Sequence, residues 1–558
     1  MARRPVPMRS PRYFLVIVCL LLGFVVGSRV QGQENANPSE ALVVVEPSLP
    51  QSFHPFDLYA TQPGVHLVAL LYETMVRLDP STNLLVSNLM TELERKSDRV
   101  YTAKLLPDLK WHDGKPVTVR DATRTLERLK DNLGSDSSLS ARTIGNTLLG
   151  IISAEGGERE GGLVSVEEGE PGQFVFNFRR STDIGEALHI LSMFILLPAH
   201  ITDNELKRKP VGLGPYTLEG EYTEGPIILE RNETYFRGVP RILRIELRVV
   251  PAMADRVKVV ADGVASVAVD VLEPLAAPLS ERVDLRIQPN MSRTMYYLGF
   301  NMETGFQGAR FGDRPWLREV VARTLDREDL LRAFGDTPES GVLLTGPFRP
   351  ESQNTSREVA AISPNPQRVQ ELFQAEGFER VAQFYQDSSG TPLEAVLAYD
   401  GSQPDMEKVA QRMREQLERG GIGIRLAPRS GRDFAILLTG DDRRFDIVLH
   451  KWNLDEDEDL YEVFHSRGTY NYLRYHNDDV DKDIEQARRA SNYAVRLHYR
   501  WQLHEKLAQD LPAIFLWSPR QVAIFDAKVG GVPILDPYYF FRDVHRWEIQ
   551  QLLMPMGR

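Results

Sequence analysis

The sequence predicts an α/β or α+β fold built as more than one lobe. First, the chain has 558 residues, and at roughly 150 residues per domain this is enough for several domain-sized units. Second, apolar residues make up 42% and charged residues 26%, which is the balance of a soluble globular protein. Third, segments with strand periodicity and segments with helix periodicity are interleaved along the whole chain, without a solenoid repeat.

The first half of the chain contains short apolar or alternating segments that predict strands. They are 42–46, 99–106, 174–178 and 243–249. Between them, 65–76 has apolar residues at helical spacing. A second helix is predicted to begin at Thr118, where Asp121 supports the start, and to end at Gly134.

The second half continues the same mixture. Two strands are predicted at 295–301 and 445–452. Two helices are predicted within 315–334, with Asp326 as N-cap of the second. A further helix is predicted with Asp405 as its cap and with Gly420 and Gly421 as its end.

The N-terminus has the pattern of a secretory signal peptide, which we expect to cover residues 1–32. Residues 1–12 carry four arginines and no acid, and 13–27 are almost wholly apolar. An uncleaved anchor is the alternative, although a spanning helix needs about 20 apolar residues. The single cysteine, Cys19, lies inside this segment, so the mature chain would suit an oxidising compartment. We therefore expect a periplasmic or otherwise extracytoplasmic protein.

The charge balance and the missing motifs exclude several function classes. Lys and Arg number 66 against 78 Asp and Glu, a net charge of −12, so nucleic-acid binding is not expected. The sequence contains no H-E-x-x-H, G-x-S-x-G or G-x-x-x-x-G-K-[ST] motif. We therefore expect no enzyme activity, no cofactor and no metal. A secreted hydrolase of peptides or glycans stays the alternative class.

Seven segments, in order along the chain, form a recognisable set of motifs. They lie at 71–82, 101–118, 212–216 (GLGPY), 229–236, 298–301, 325–327 and 417–422. Together they resemble the family-5 extracellular solute-binding proteins of bacterial ABC importers, which bind oligopeptides, dipeptides or nickel. The resemblance covers about 42–533. The sequence departs from the family pattern at Phe53-His54-Pro55, at Leu213 and in an acidic run after Trp452.

This resemblance implies a two-lobed periplasmic-binding-protein-like fold of type II, with an extra subdomain in a discontinuous first lobe. The first lobe would comprise 33–291, with the inserted subdomain at about 58–190, and a C-terminal return at 514–558. The second lobe would comprise 292–513. The hinge strands are expected near Asn290–Arg293 and Leu511–Ala513, where the lobes would close on the ligand.

The function implied is the substrate-binding component of an ABC importer, which captures short peptides in the closing cleft. Its partners would be the peptide or a similar small solute and the permease subunits, and we expect a monomer. The same fold could instead bind an oligosaccharide, a nickel complex or haem. The residues alone leave these ligands open.

In similar peptide binders, a W-x-x-D segment lies in the cleft and its Asp pairs with the α-amino group of the ligand. Trp452 and Asp455 match this pattern, and the pair would be a charge-assisted hydrogen bond. Trp517, Tyr470 and Asn471 are further candidate ligand-binding residues that could form walls of the cleft.

The remaining acids, Glu456 to Asp459, are expected to be a solvated loop. An EF-hand is excluded because its positions 6 and 12, which require Gly and Glu, would be Leu460 and Ser466. Three histidines nearby, at 450, 465 and 476, lack the spacing of metal ligands.

Overall fold

The computed structural model describes most of the chain from residue 41 onward. The described residues are 41–59, 61–79, 84–131, 144–145, 148–149, 162–303, 308, 310–440, 444–454, 457–490, 492–533, 535–536 and 538–550. The predicted signal peptide, 1–32, lies outside them. Within these ranges no helix combines the length and the apolar character needed to cross a membrane.

Strands and helices alternate as the sequence predicts. Numbered in chain order, the strands are β1 (Ala41–Glu46), β2 (Val76–Asp79), β3 (Leu84–Ser87), β4 (Glu94–Arg95), β5 (Val100–Lys104), β6 (Leu163–Glu168), β7 (Gln173–Phe178), β8 (Tyr216–Leu218), β9 (Ile227–Arg231), β10 (Arg244–Val249), β11 (Val267–Leu272), β12 (Leu285–Pro289), β13 (Thr294–Phe300), β14 (Gly341–Leu343), β15 (Glu379–Val381), β16 (Phe384–Gln386), β17 (Glu394–Asp400), β18 (Gly423–Arg429), β19 (Ile447–Asn453), β20 (Ala513–Pro519), β21 (Gln521–Asp526), β22 (Val529–Gly530) and β23 (Glu548–Ile549). The helices are α1 (Pro55–Leu58), α2 (Gln62–Leu71), α3 (Val119–Asp131), α4 (Ile184–Ser192), α5 (Asp203–Leu206), α6 (Met253–Ala261), α7 (Glu273–Ala276), α8 (Pro315–Thr324), α9 (Arg327–Gly335), α10 (Pro366–Ala375), α11 (Pro404–Arg419), α12 (Gly431–Thr439), α13 (Tyr461–Phe464), α14 (Asp478–Arg489) and α15 (Tyr493–Asp510).

A seven-stranded sheet forms the first lobe, in the order β12-β21-β11-β1-β10-β9-β8. Its central strand β1 runs parallel to both β10 and β11. Because strand side chains alternate, Leu42 and Val44 join the hydrophobic core on one face, and Val45 joins the core on the other. A strand that is buried on both faces has a continuous apolar sequence, and residues 42–45 (LVVV) have this pattern.

A six-stranded sheet forms the second lobe, in the order β14-β20-β13-β19-β17-β18. Its central strand β13 again serves two cores. Tyr296 and Leu298 pack on one face, whereas Met295 and Tyr297 pack on the other. The β13–β19 pairing is antiparallel and joins Met295 to Trp452 and Thr294 to Asn453.

A smaller four-stranded sheet, β4-β5-β7-β6, lies within the predicted inserted subdomain. Helix α3 accompanies it, burying Ala122, Leu126 and Leu129. The Asp121 carboxylate accepts a hydrogen bond from the Thr118 amide at 2.8 Å, which supports the helix start as predicted.

The chain passes between the two large sheets twice, and the second crossing differs from the prediction. The first crossing joins β12 to β13 through 290–293, as expected. The second joins β20 to β21 at Arg520, not at Leu511–Ala513. The predicted crossing lies one strand too early in the chain. Residues 514–519 still belong to the second lobe, because they pair with β13 and β14 and their side chains fill the second-lobe core. The other domain boundaries stay predictions.

Two local predictions are also corrected. The helix predicted over 65–76 ends at Leu71, and 76–79 forms strand β2 instead. Asp405 is not the cap of its helix. Gln403 is the N-cap and Pro404 takes the first helical position, where a missing N–H costs no hydrogen bond. By contrast, Asp326 caps α9 as predicted, accepting from the amides of Glu328 and Asp329.

Candidate functional site

A cavity of about 480 Å³ lies where the two crossings meet the two sheets. Its volume falls within the range typical of small-ligand sites, about 300–1,000 Å³. The first lobe contributes the start of α2 and the end of β11, and the second contributes β13, α9, α11 and β19. Both crossings line it as well, at 291–294 and at Pro519 and Gln521. Ligand in this cavity would therefore touch both lobes and the hinge.

Arg293, in the first crossing, ties the two lobes together beside the cavity. Its Nε donates to Oε1 of Gln62 in the first lobe at 2.7 Å. Its Nη1 donates to the carbonyl oxygen of Leu454, which follows β19 of the second lobe, at 3.3 Å. The guanidinium also stacks over the Tyr538 ring, 4.6 Å from its centroid. The hinge strand is therefore fixed by its own side chain as well as by its backbone.

On the first-lobe side, the cavity is bounded by a carboxylate, Asp270, near the end of β11. The Asn290 side-chain amide donates to its Oδ1 at 2.8 Å. The β11–β21 pairing is interrupted between Ala268 and Val271, and Asp270 has φ of 52°. The irregularity lies beside the cavity, where bulges commonly re-aim a side chain.

On the second-lobe side, the wall is aromatic and carries a charge of each sign. Tyr296 and Phe334 line the cavity. The Lys451 ammonium donates to Oε1 of Gln403 at 2.7 Å and lies 5.9 Å from the centre of the Tyr296 ring. Burial lowers the Lys451 pKa, and Asp405 opposes this effect. Asp405 also accepts a hydrogen bond from the Tyr296 hydroxyl, and burial together with this carboxylate raises the Tyr296 pKa.

The structure places four of the predicted ligand-binding residues away from the cavity lining. Trp452 lies on β19 between Lys451 and Asn453, which line the cavity, so its side chain points to the opposite face. There it packs on Tyr470, with ring centroids 5.0 Å apart. Asn471 donates to the carbonyl oxygens of His465 and Tyr475, which closes its own loop.

Trp517 is fully buried in the second-lobe core. It stacks on Tyr296 at 5.6 Å and touches Phe334 at 5.4 Å, so it supports the cavity wall from behind. The fifth predicted residue, Asp455, lies outside the described residues, as does Glu456. Ligand binding by these five residues stays a prediction.

The described acids that follow are buried and paired, contrary to the expected solvated loop. Asp457 accepts from Arg496 Nη1 at 3.0 Å and pairs with Arg500 Nη2 at 2.9 Å. Asp459 accepts from Arg488 Nε at 2.9 Å. These three arginines lie on α14 and α15, so the expectation was wrong because charges distant in sequence neutralise the run.

Glu458 is the third buried acid of this run. It accepts from Arg349 Nε at 2.6 Å and from the Asn354 amide at 2.6 Å, and Ser352 donates to it as well. Burial raises the Glu458 pKa, but Arg349, Ser352 and Arg500 together outweigh that effect and hold the pKa below its usual range. The segment after β19 is therefore anchored to three different parts of the second lobe.

The same acids also meet the first lobe. His189 of α4 is 3.4 Å from Asp457 through Nδ1 and 3.7 Å from Asp459 through Nε2. Burial lowers the His189 pKa, but the two aspartates raise it overall. Helix α4 belongs to the first-lobe core, so this is a contact between lobes away from the crossings.

None of the three histidines flagged in the sequence lines the cavity. His450 is buried among aromatic rings, and burial lowers its pKa to about 4. His465 packs on the Tyr461 ring. Among the described residues, the one group with metal-ligand spacing is His476, Asp478 and Asp481 at the start of α14, and two of these three are exposed.

Sequence reasoning missed Asp270, Lys451 and Arg293 as cavity residues. The position of Lys451 could have been predicted, because side chains alternate along β19 and Lys451 therefore lies on the face opposite Trp452. Arg293 lies within the predicted hinge strand. Asp270 carried no signal, since VAVDVL is indistinguishable from a regular alternating strand.

Comparison with known proteins agrees with this architecture. The family model for bacterial extracellular solute-binding proteins, family 5 Middle, matches residues 85–471. The chain is 25% identical over 515 residues to the oligopeptide-binding protein AppA of Bacillus subtilis. This alignment covers 90% of this chain and 89% of AppA.

Solved structures show the same two-lobed α/β fold. The AppA structure from Bacillus subtilis, in complex with a nonapeptide, has a TM-score of 0.71 at 21% identity and covers 92% of this chain and 99% of that chain. NikZ from Campylobacter jejuni, in complex with Ni(L-His), has a TM-score of 0.72 at 18% identity, with 92% and 100% covered. Since the family model spans well over half of the chain, the protein belongs to the bacterial extracellular solute-binding proteins of family 5.

Proposed function

We propose that this protein captures short peptides in the cavity between its lobes and delivers them to the permease of an ABC importer. The observation that carries the proposal is the cavity itself, which joins an aromatic wall, carboxylates from both lobes and the Lys451 ammonium. A short peptide has a matching set of groups, since it is apolar along its side chains, cationic at one end and anionic at the other. The AppA relative, named for binding oligopeptides, supports this ligand class.

A nickel ion that brings no ligands of its own fits this cavity less well than a peptide. The NikZ neighbour is in complex with Ni(L-His), a metal complex that includes its own histidine, whereas the cavity lining of the described residues offers a bare ion no histidine and no thiol. Imidazole is the nitrogen ligand that suits nickel in proteins. The proposed peptide ligand needs only carboxylates, an ammonium and backbone groups, all of which are present.

The protein would act outside the cytoplasm, as a monomer and without chemical conversion of the ligand. Export through the signal peptide at 1–32 is part of the proposal. N-terminal sequencing of protein from an extracytoplasmic fraction tests it. A chain that still begins at Met1 or Ala2 in the cytosol would contradict it.

Peptide capture is tested by native mass spectrometry of the purified mature protein with a pool of di- to pentapeptides that have free termini. We expect bound peptide masses, and peptides released unchanged. New fragments would instead support the hydrolase alternative.

The place of binding is tested by calorimetry on Lys451→Gln, with Lys258→Gln as the matched control. Lys258 is exposed on α6, so its loss should not change affinity. Lys451→Gln should weaken peptide binding by about tenfold or more, because a partly desolvated charge partner of the ligand is lost. Equal affinities for the two variants would place the ligand elsewhere.

A further inference from the structure

We propose that the first lobe holds a binding site for a small monovalent anion, of the size of a chloride ion or a carboxylate group, between Arg77, Arg237 and Arg542. This site lies apart from the ligand cavity between the lobes, because the two cavities share no lining residue. The inference therefore goes beyond peptide capture and does not depend on it.

The site is a second, smaller cavity of about 30 Å³. Three parts of the chain that are far apart in sequence line it: 68–77, which runs from α2 into β2, the loop between β9 and β10, and the C-terminal segment, 538–550. Each part contributes one of the three arginines. A cavity needs about 10–15 Å³ to hold one water molecule, so this one admits a chloride ion or a single carboxylate group.

Among the described residues, none makes a hydrogen bond or an ion pair with the Arg77 guanidinium, and only charges at longer range act on it. The side chain is half-buried, so water satisfies it only in part. Removing an unpaired charge from water is costly. A guanidinium also offers five donors in a planar fork that fits an anion. Arg77 is therefore the group of the cavity wall that a bound anion would complete.

The other two arginines have acidic partners that do not line the cavity. Arg237 Nη2 donates to Asp543 Oδ1 at 3.5 Å, which is a long contact. Arg542 Nη1 is 2.7 Å from Asp536 Oδ2. Because each aspartate serves one of these arginines, the third positive charge, on Arg77, is left without an acid of its own among the described residues.

Glu73 is the acid among the described lining residues, and its carboxylate is engaged by other donors. Its Oε1 accepts a hydrogen bond from the Tyr235 hydroxyl at 2.6 Å, and its Oε2 accepts one from the Asn88 amide at 2.7 Å. Its effect on the Arg77 pKa is smaller than that of either neighbouring arginine. Glu73 therefore does not replace an anion beside Arg77.

The charge balance around the cavity is positive. Burial lowers the Arg77 pKa, and Arg237 and Arg542 lower it further, while the nearby acids do not reverse this shift. His545, in the C-terminal segment, responds in the same way: burial lowers its pKa to about 4, and Arg237 acts in the same direction. Two groups from different parts of the chain thus experience an excess of positive charge, which would stabilise an anion between the arginines.

A bound anion would join the C-terminal segment to β2. One link between them exists already, since Arg542 Nη1 donates to the carbonyl oxygen of Leu78 at 3.1 Å. An anion that accepts from Arg77 and Arg542 together would add a second link through charge-assisted hydrogen bonds. The anion would therefore stabilise the folded first lobe.

The first test is thermal denaturation of the mature protein at constant ionic strength. Sodium chloride or sodium formate replaces the sodium salt of MOPS, a sulfonate too bulky for the cavity. A ligand that binds only the folded state raises the Tm by mass action. We expect the Tm of the parent to rise by about 2–4 °C when the anion is at about five times its Kd.

Arg77→Gln is the informative variant, with Arg425→Gln as the matched control. Arg425 is exposed on β18 of the second lobe, so its loss removes one positive charge without touching the cavity. Arg77→Gln should lose the rise in Tm, whereas Arg425→Gln should keep it. In MOPS alone, Arg77→Gln should be at least as stable as the parent, because it removes an unpaired charge that two other arginines repel.

The second test measures binding directly by chloride NMR, in which the signal broadens when chloride exchanges with a site on the protein. We expect excess broadening with the parent and with Arg425→Gln, and none with Arg77→Gln. Formate should remove the broadening if a carboxylate enters the same site. A response to chloride alone or to formate alone would support the site and identify its ion.

Two results would overturn the proposal. The first is a rise in Tm, or a chloride broadening, that is equal in the parent and Arg77→Gln, since it would show that the anion acts elsewhere. The second is a parent that responds to neither anion in either measurement. This second result needs no variant, so the proposal stays open to refutation even if Arg77→Gln does not fold.

Discussion

Replacing Asp457 by Asn should destabilise the second lobe far more than an ordinary surface change. The carboxylate serves Arg496 and Arg500 at 3.0 and 2.9 Å, and all three side chains are at most 10% exposed. Asn keeps the shape but removes the negative charge that faces these two buried guanidinium groups. Breaking a buried pair from one side costs about 3–5 kcal/mol. We expect the lower end, about 3 kcal/mol, because Asn354 also accepts from Arg500.

The assay is thermal and urea denaturation of the mature protein, followed by tryptophan fluorescence. For a unit of the size of the second lobe, about 3 kcal/mol corresponds to a Tm decrease of roughly 6–12 °C. Asp313→Asn is the matched control in the same lobe, since its pair with Arg310 is exposed and worth less than about 1 kcal/mol. If the two variants lose the same stability, the acid run is solvated after all and the reasoning fails.

The same residue predicts a pH dependence. Burial raises the Asp457 pKa, but Arg500, Arg496 and His189 together outweigh that effect and hold the pKa far below its usual range. The stability from a depressed carboxyl pKa is present above the unfolded value, near 3.9, and is lost as pH falls toward the folded value. The parent should therefore lose stability below about pH 4, and Asp457→Asn should lose less over the same interval. Equal slopes for the two proteins would contradict the assignment.

Three further outcomes are expected. Because Asp457 and Asp459 raise the His189 pKa, the contact between the lobes is strongest below about pH 6.5 and weakens as the pH rises through the folded-state pKa of His189. The Tm of the parent, measured from pH 6 to 9, should therefore fall with rising pH. The Tm of His189→Gln should change less over the same interval. Arg293→Gln should reduce the decrease in radius of gyration seen by small-angle scattering on peptide binding, and an unchanged decrease would show that the arginine does not couple the lobes. Trp517→Ala should cost about 3–5 kcal/mol of stability, because it leaves a cavity in the core, and a stable variant with impaired peptide binding would instead support the prediction that this tryptophan contacts the ligand.

The sequence predicted those parts of the fold that depend on local pattern. Strand β1 and the capping of α9 by Asp326 follow from apolar runs and short-range hydrogen bonds. The first crossing and the family followed from ordered motifs. These features need no knowledge of which distant segments pack together.

The candidate site was harder because it depends on partners far apart in the chain. From the sequence alone, the acid run is predicted to be a solvated loop. In the folded chain it contacts arginines that lie 29 to 43 residues later and His189, which lies more than 250 residues earlier. The distortion at Asp270 likewise arises where β21 pairs with β11, across some 250 residues. Only the side-chain alternation of β19 could have indicated in advance that Trp452 and Lys451 lie on opposite faces of the strand.

Strand β21 has a consequence for the order in which the protein can assemble. It lies between β11 and β12 in the seven-stranded sheet. These two strands follow one another in the sequence, but the strand that pairs with both of them comes some 240 residues later. Until residues 521–526 leave the ribosome, β12 has no strand to pair with and β11 exposes an open edge. Such long-range pairing is intrinsically slow to form. The first lobe therefore stays incomplete during nearly all of synthesis, and its large sheet can close only after the last part of the chain has been made.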